Sequence, residues 1–127
     1  MKPTVCLIDD DLSVQRAVRR LLYTAGYPVI TFSSATDFLA LRDLPSPVCL
    51  LVDLRMPGMT GTDLQAELAS SHGHLPLIMM SGHADAATRL RVMAAGAVSF
   101  LCKPFEEDAL FGALELARDR ARAFMTA

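Results

Sequence analysis

The chain has 127 residues, 52% of them hydrophobic, and its 12 basic and 14 acidic side chains give a net charge of −2. This length and composition predict one domain over residues 1–127 with a single hydrophobic core. The charge balance argues against binding to DNA or to an anionic membrane by electrostatics alone, so we expect no direct nucleic-acid or membrane partner.

The first half of the chain predicts two strands that alternate with two helices. An apolar run at residues 4–8 precedes apolar residues at i, i+3, i+4, i+7, i+8 and i+11 over residues 13–25, the spacing of an amphipathic helix. A second apolar run at residues 29–32 leads to a capping-box pattern that begins at Ser34. This pattern predicts a short helix through residue 42.

The second half repeats the alternation of strand and helix three more times. The third strand, at residues 48–52, reaches Asp53 and a turn rich in Pro and Gly. The elements that follow are a helix at residues 62–70, a strand at 77–80, a helix at 85–95, a strand at 98–102 and a helix at 106–122. Five strands alternating with five helices predict an α/β fold, a doubly wound, five-stranded parallel sheet.

Polar residues stand where four of the apolar runs end. Asp9 and Asp10 follow the first run, Asp53 the third, Ser81 the fourth and Lys103 the fifth. Such sheets bind ligands beyond the carboxyl ends of their strands, so we expect these side chains to meet there. The carboxylates suit a Mg²⁺ ion, and Lys103 and Ser81 suit the oxygens of a phosphoryl group. An aspartate can also act as a covalent nucleophile.

The chain resembles the response-regulator receiver domains of two-component signalling and is most similar to the FixJ-like, LuxR-type receivers. The matching segments are residues 7–11 (LIDDD), 52–61 (VDLRMPGMTG), 80–85 (MSGHAD) and 95–105 (AGAVSFLCKPF). They run through nearly the whole chain, and in this order they are highly specific. The resemblance implies one receiver domain with a flavodoxin-like fold and the strand order 2-1-3-4-5.

Carried over by position, the resemblance implies that Asp53 accepts a phosphoryl group from the phosphohistidine of a sensor histidine kinase. The implied Mg²⁺ ligands are Asp9, Asp10, Asp53 and the backbone carbonyl of Arg55. Arg55 and His83 are expected to flank the phosphoryl group and to tune how fast water removes it. Such a domain phosphorylates itself and signals, and it is not a classical enzyme.

Three residues match the switching positions of the family. Ser81 matches the hydroxyl residue that moves onto the phosphoryl group, Lys103 the lysine that pairs with it, and Phe100 the aromatic whose rotamer follows. Phe100 has no hydroxyl, so we expect packing alone to hold it inward after it leaves an exposed position. The resemblance also implies a cis Lys103–Pro104 bond. It further implies a phosphorylation-dependent homodimer through the fourth helix, fifth strand and fifth helix, about residues 86–114.

Some alternatives stay open. Asp11 makes the acidic pair a triplet, which leaves open which two acids reach the metal. A rival function is a stand-alone enzyme on the same fold. A dehalogenase-like phosphatase would need a second acid where this chain has Arg55. A flavodoxin-like redox protein would need a Ser/Thr/Gly-rich loop after the first strand, where this chain has residues 9–13 (DDDLS). A receiver that has lost phosphorylation conflicts with the complete set of acids, Ser81 and Lys103. As output, we expect transcriptional control through a DNA-binding domain outside this chain, or else action as a single-domain regulator.

The cysteines and two of the histidines have simpler interpretations. The cysteines, Cys6, Cys49 and Cys102, lie in apolar runs without CxxC spacing, which predicts reduced, packed thiols in a cytoplasmic protein. His72 and His74 have no third ligand nearby in sequence, so we expect no metal there. The apolar stretch near the N-terminus is too short for a signal peptide or a membrane span.

Overall fold

The computed structural model describes residues 2–71 and 75–126, with side chains described as far as residue 121. The strands are β1 (Thr4–Ile8), β2 (Val29–Phe32), β3 (Val48–Asp53), β4 (Leu77–Ser81) and β5 (Ser99–Cys102). The helices are α1 (Leu12–Thr24), α2 (Ala35–Leu39), α3 (Gly61–Ser71), α4 (Ala86–Ala94) and α5 (Glu107–Thr126). His72 and His74, for which we expected no metal, lie outside the described residues.

The five strands form one parallel sheet in the order β2-β1-β3-β4-β5, which confirms the predicted fold and strand order. β3 lies at the centre, and every residue of this strand is buried, in agreement with its continuous apolar sequence. Ile8 lies beside Val52, and Asp53 lies beside Met80. Because all strands run in one direction, their carboxyl ends align along one edge of the sheet.

Helices cover both faces of the sheet and divide the core into two clusters. The first cluster joins α2, α3 and α4 to the sheet, with Phe38, Leu64 and Val92 among its buried members. The second cluster joins α1 and α5 to the opposite face, with Leu22 and Leu114 among its members. Successive residues of a strand point to opposite faces, so each strand supplies both clusters.

Two helices end several residues away from their predicted ends. Ser34 and Asp85 cap α2 and α4 as predicted, each accepting a backbone N–H hydrogen bond from three residues on, at 3.0 and 2.7 Å. α2 nevertheless ends at Leu39 rather than at residue 42, because the N–H of Leu41 bonds to the carbonyl three residues back in a tighter turn. α5 continues past its predicted end, since the sequence has no Gly or Pro after Gly112 that would end the helix.

The backbone has special conformations at two prolines and at two glycines that follow helices. The Lys103–Pro104 peptide bond is cis, as predicted, and the Ser46–Pro47 bond is cis as well. Gly26 and Gly96 follow α1 and α4 with φ of 85° and 107°, a conformation that glycine adopts without strain. Within the described ranges, no helix combines the length and the apolar character needed to cross a bilayer.

Candidate functional site

Four polar residues from four strand ends meet at one edge of the sheet. Asp53 and Ser81 are the last residues of β3 and β4, while Asp9 and Lys103 directly follow β1 and β5. Asp9, Asp53 and Ser81 are 0%, 8% and 2% exposed. Burying two carboxylates costs free energy unless cations pair with them, so this edge needs positive charge.

The Lys103 ammonium supplies part of that charge. Its Nζ lies 2.7 Å from Asp9 Oδ2 and 3.3 Å from Asp53 Oδ1. Burial alone would lower the pKa of Lys103, but the hydrogen bond to Asp9 and the negative charges of Asp53 and Asp9 outweigh it and raise that pKa. Lys103 is therefore a fixed cation between two carboxylates.

Lys103 does not fully offset the effects of burial and of neighbouring negative charge on Asp53. Burial raises the pKa of Asp53, and the negative charge of Asp9 raises it further, while Lys103 lowers it only in part. One carboxylate oxygen from each of Asp9, Asp10 and Asp53 lies within 4.8 Å of the other two. A hard divalent cation fits this set of oxygen donors, and its charge would relieve the repulsion at Asp53.

The third acid of the triplet has a different role. The Oδ1 atom of Asp11 accepts hydrogen bonds from the N–H groups of Ser13 (2.8 Å) and Val14 (3.3 Å), so Asp11 is the N-cap of α1. The N–H of Asp11 also donates to Asp9 Oδ1 at 2.9 Å. The acids that gather around Asp53 are thus Asp9 and Asp10, and their role as metal ligands stays a prediction.

The loops beside the strand ends carry the remaining candidates. Ser81 Oγ accepts a hydrogen bond from the backbone N–H of His83 at 3.2 Å, and the His83 side chain is exposed. Arg55, two residues after Asp53, is exposed as well. The effect of these two exposed side chains on dephosphorylation stays a prediction.

Two side chains on β5 differ from the sequence-based expectation. We expected an exposed Phe100, but the ring is 6% exposed and belongs to the first cluster. α4 packs against β5, and the Arg89 guanidinium carbon lies 5.6 Å from the ring centroid. We expected a packed Cys102, but this thiol is exposed. Cys102 is the last residue of β5, which has a neighbouring strand on one side only. Cys6 and Cys49 are buried, as predicted.

Sequence analysis did not identify two residues that support the site. Gln15 is 8% exposed, and its Nε2 donates to the Asp9 carbonyl at 2.6 Å and to Ser33 Oγ at 3.2 Å. At Gly61, a Cβ would lie 2.6 Å from the Asp53 carbonyl oxygen, so only glycine fits. In the sequence, the feature that could have pointed to Gln15 is an uncharged polar side chain beside the apolar stripe of the first helix. Gln15 thus holds the backbone of Asp9, and Gly61 allows α3 to lie close to the backbone of Asp53.

Comparisons with known proteins bear on the identity of this site. Residues 5–115 match the family model of the response regulator receiver domain. Nodulation protein W of Bradyrhizobium diazoefficiens is 39% identical over 123 residues, which cover 95% of this chain and 53% of that protein. The transcriptional regulatory protein FixJ of the same species is 36% identical over 116 residues, which cover 91% of this chain and 57% of that protein.

A solved structure gives the same result. The response regulator StyR superposes with a TM-score of 0.85 at 43% identity, covering 99% of this chain and 66% of that chain. The chain spans about half the length of the curated relatives described above. With a family match over most of its length and a fold shared with these relatives, the chain belongs to the response regulator receiver domain family, a family of signalling domains.

Proposed function

We propose that this receiver takes a phosphoryl group from a sensor histidine kinase onto Asp53 and thereby switches a partner surface. The observation that carries the proposal is the position of Lys103 Nζ, 2.7 Å from Asp9 and 3.3 Å from Asp53. An ammonium held there can pair with the oxygens of a group bonded to Asp53. A carboxylate nucleophile beside a preorganised cation is the arrangement that phosphoryl transfer requires.

In the proposed reaction, a carboxylate oxygen of Asp53 attacks the phosphorus of the donor. The new O–P bond forms as the bond from phosphorus to the histidine nitrogen breaks, and the electron pair of that bond returns to the imidazole nitrogen. Lys103 pairs with the phosphoryl oxygens. Because Ser81 Oγ accepts the N–H of His83, its own proton is available to a phosphoryl oxygen. The product is an acyl phosphate on Asp53.

Mg²⁺ is the divalent cation that we propose for the acidic cluster. Asp9, Asp10 and Asp53 would hold it, with the backbone carbonyl of Arg55 as a further ligand. When bound, it supplies positive charge that neutralises the transferring phosphoryl group. Gln15 holds the Asp9 backbone, and Gly61 allows the close approach of α3 to Asp53, so both acids keep fixed positions.

Incubation with acetyl phosphate and Mg²⁺ tests the assignment of Asp53. We expect intact-mass spectrometry to detect one added phosphoryl group per chain, and to detect none after Asp53→Asn or after chelation of the metal. Asp63→Asn, which removes an acid from the exposed start of α3, is the matched control and should leave the modification unchanged. Full modification of Asp53→Asn would contradict the assignment.

The proposed output is transcriptional, because FixJ, at 36% identity, is named a transcriptional regulatory protein. We assign DNA contact to a domain outside this chain and place the receiver in the cytoplasm, where a sensor kinase can reach it. The proposed partner surface is formed by α4, β5 and α5, about residues 86–114. Leu90 and Met93 on α4 are 70% and 39% exposed, and we propose that phosphorylation favours a homodimer through this surface.

A further inference from the structure

The Arg89 guanidinium lies over the ring of Phe100. Its central carbon is 5.6 Å from the ring centroid, and its Nη1 lies 3.9 Å from Cys102 Sγ. Arg89 is itself exposed on α4, whereas the ring on β5 is 6% exposed. One cation on the helix thus contacts two side chains of the neighbouring strand.

Few other groups compete for this cation. Both ion pairs found within the described part of the chain belong to Lys103, so no carboxylate there pairs with Arg89. Arg91, two residues further along α4, instead donates to Thr88 Oγ1 at 3.1 Å. A guanidinium within about 6 Å of an aromatic centroid is attracted to the negative face of the ring. Among the described residues, the side-chain contacts of Arg89 are thus those with Phe100 and Cys102.

We propose that Arg89 is a positioning residue that holds Phe100 in its inward rotamer. The inference rests on the proposed function, in which phosphorylation at Asp53 switches a partner surface, and it takes the Phe100 ring, packed between β5 and α4, as the group that transmits the change. Phenylalanine has no hydroxyl, so no hydrogen bond can hold the ring, and Arg89 adds an electrostatic hold to the packing. Since Arg89 belongs to α4, this contact couples the ring to the proposed partner surface.

A double-mutant cycle tests the contact without any phosphorylation. Urea unfolding of the wild type, Arg89→Gln, Phe100→Leu and the double variant gives the coupling between the two side chains. We expect a coupling of about 2- to 5-fold in the unfolding equilibrium constant, as for a partly exposed cation–π pair. The matched cycle pairs Arg91→Gln with Phe100→Leu and should show no coupling. No coupling in the first cycle, or equal coupling in both, overturns the proposal.

A second experiment asks whether the contact affects the switch. With Mg²⁺ and beryllofluoride, a phosphoryl mimic, sedimentation gives the dissociation constant of the dimer. Arg89→Gln should weaken the dimer by about 2- to 5-fold, and Arg89→Lys, which keeps the cation, should recover most of the loss. In the Phe100→Leu background, Arg89→Gln should change nothing, because Arg89 acts through the ring.

The outcomes separate this inference from the proposed function. If Arg89→Gln weakens the dimer equally with and without the Phe100 ring, Arg89 is a direct interface contact and the inference is wrong. If the wild type forms no dimer with the mimic, the proposed partner surface is wrong, while the unfolding cycle still decides whether Arg89 holds the ring.

Discussion

The three thiols of this chain differ in burial and therefore in reactivity. Burial raises the pKa of Cys6 to about 11 and that of Cys49 to about 12, while Cys102 is exposed at the end of β5. The thiolate is the nucleophile, so we expect iodoacetamide at mildly alkaline pH to modify Cys102 alone in the native protein and all three thiols after unfolding. Intact mass counts the adducts. The folded Cys102→Ser variant should gain no adduct. Rapid modification of Cys49 in the folded protein would contradict its burial.

Asp53 should destabilise the fold at neutral pH when no divalent cation is present. Burial, followed by the charge of Asp9, raises its pKa above the ordinary 3.8. A carboxyl group with a raised pKa binds its proton more tightly in the folded state, so its contribution favours folding below pH 3.8 and is lost as the pH rises through the raised value. We expect Asp53→Asn to increase the free energy of unfolding at neutral pH in EDTA. The gain should shrink on acidification, as urea unfolding at several pH values will measure.

Asp63 provides a control of opposite sign for that experiment. Hydrogen bonds from the backbone N–H and the hydroxyl of Thr60 lower the pKa of Asp63, so its contribution is present at neutral pH and is lost as the pH falls through the lowered value. Asp63→Asn should therefore lower the free energy of unfolding at neutral pH. If both variants change stability in the same direction, burial is not the reason for the behaviour of Asp53.

At the scale of elements, the junction between β3 and α3 depends on the absence of a side chain at Gly61. A Cβ there would lie 2.6 Å from the Asp53 carbonyl oxygen and 2.8 Å from Met79 Sδ. We expect Gly61→Ala to cost roughly 1–3 kcal/mol in the free energy of unfolding, because the helix must move from the strand. Gly112→Ala in α5 meets no atom within 4 Å and should add about 0.5–1 kcal/mol. Chemical denaturation of both variants measures the difference.

The positions of the elements could be predicted because burial leaves a clear trace in the sequence. Strands covered on both faces must be apolar throughout, and the five apolar runs match the five strands. Asp53 stood out because a carboxylate at the end of such a run is poorly placed for packing. The end of α2 could not be predicted, since a tight turn at Leu41 rather than a breaking residue ends that helix.

The two errors at β5 have different origins. The exposed Phe100 was expected from the family resemblance and the packed Cys102 from its apolar run, and neither shows what a neighbouring element places over a side chain. Phe100 is covered by α4 and by Arg89, while Cys102 remains open at the sheet edge. The hydrogen bond from Gln15 to the Asp9 carbonyl likewise joins residues of two elements, so no local pattern could reveal it.

At the scale of the whole molecule, we expect phosphorylation to favour a homodimer through the surface formed by α4, β5 and α5. Leu90 on α4 is 70% exposed and Leu12 on α1 is 57% exposed, which provides a matched pair. In the presence of beryllofluoride, Leu90→Ser should weaken the dimer by roughly tenfold or more, since burying a leucine contributes about 1.5–3 kcal/mol. Leu12→Ser should leave the sedimentation unchanged. An unchanged association state of the wild type with the mimic would contradict the proposed surface.

The sheet keeps the two core clusters apart, and this separation has a consequence for inherited variation. Phe100 and α4 belong to the first cluster, while α1 and α5 pack in the second. A conservative change on α1, such as Leu22→Ile, should therefore alter the melting temperature but leave the balance between the resting and the active states intact, because α1 lies outside the surface formed by α4, β5 and α5. A change of the same size at Val92 should alter that balance as well. Core variants can thus be divided into those that change only the stability of the fold and those that also change the response to phosphorylation.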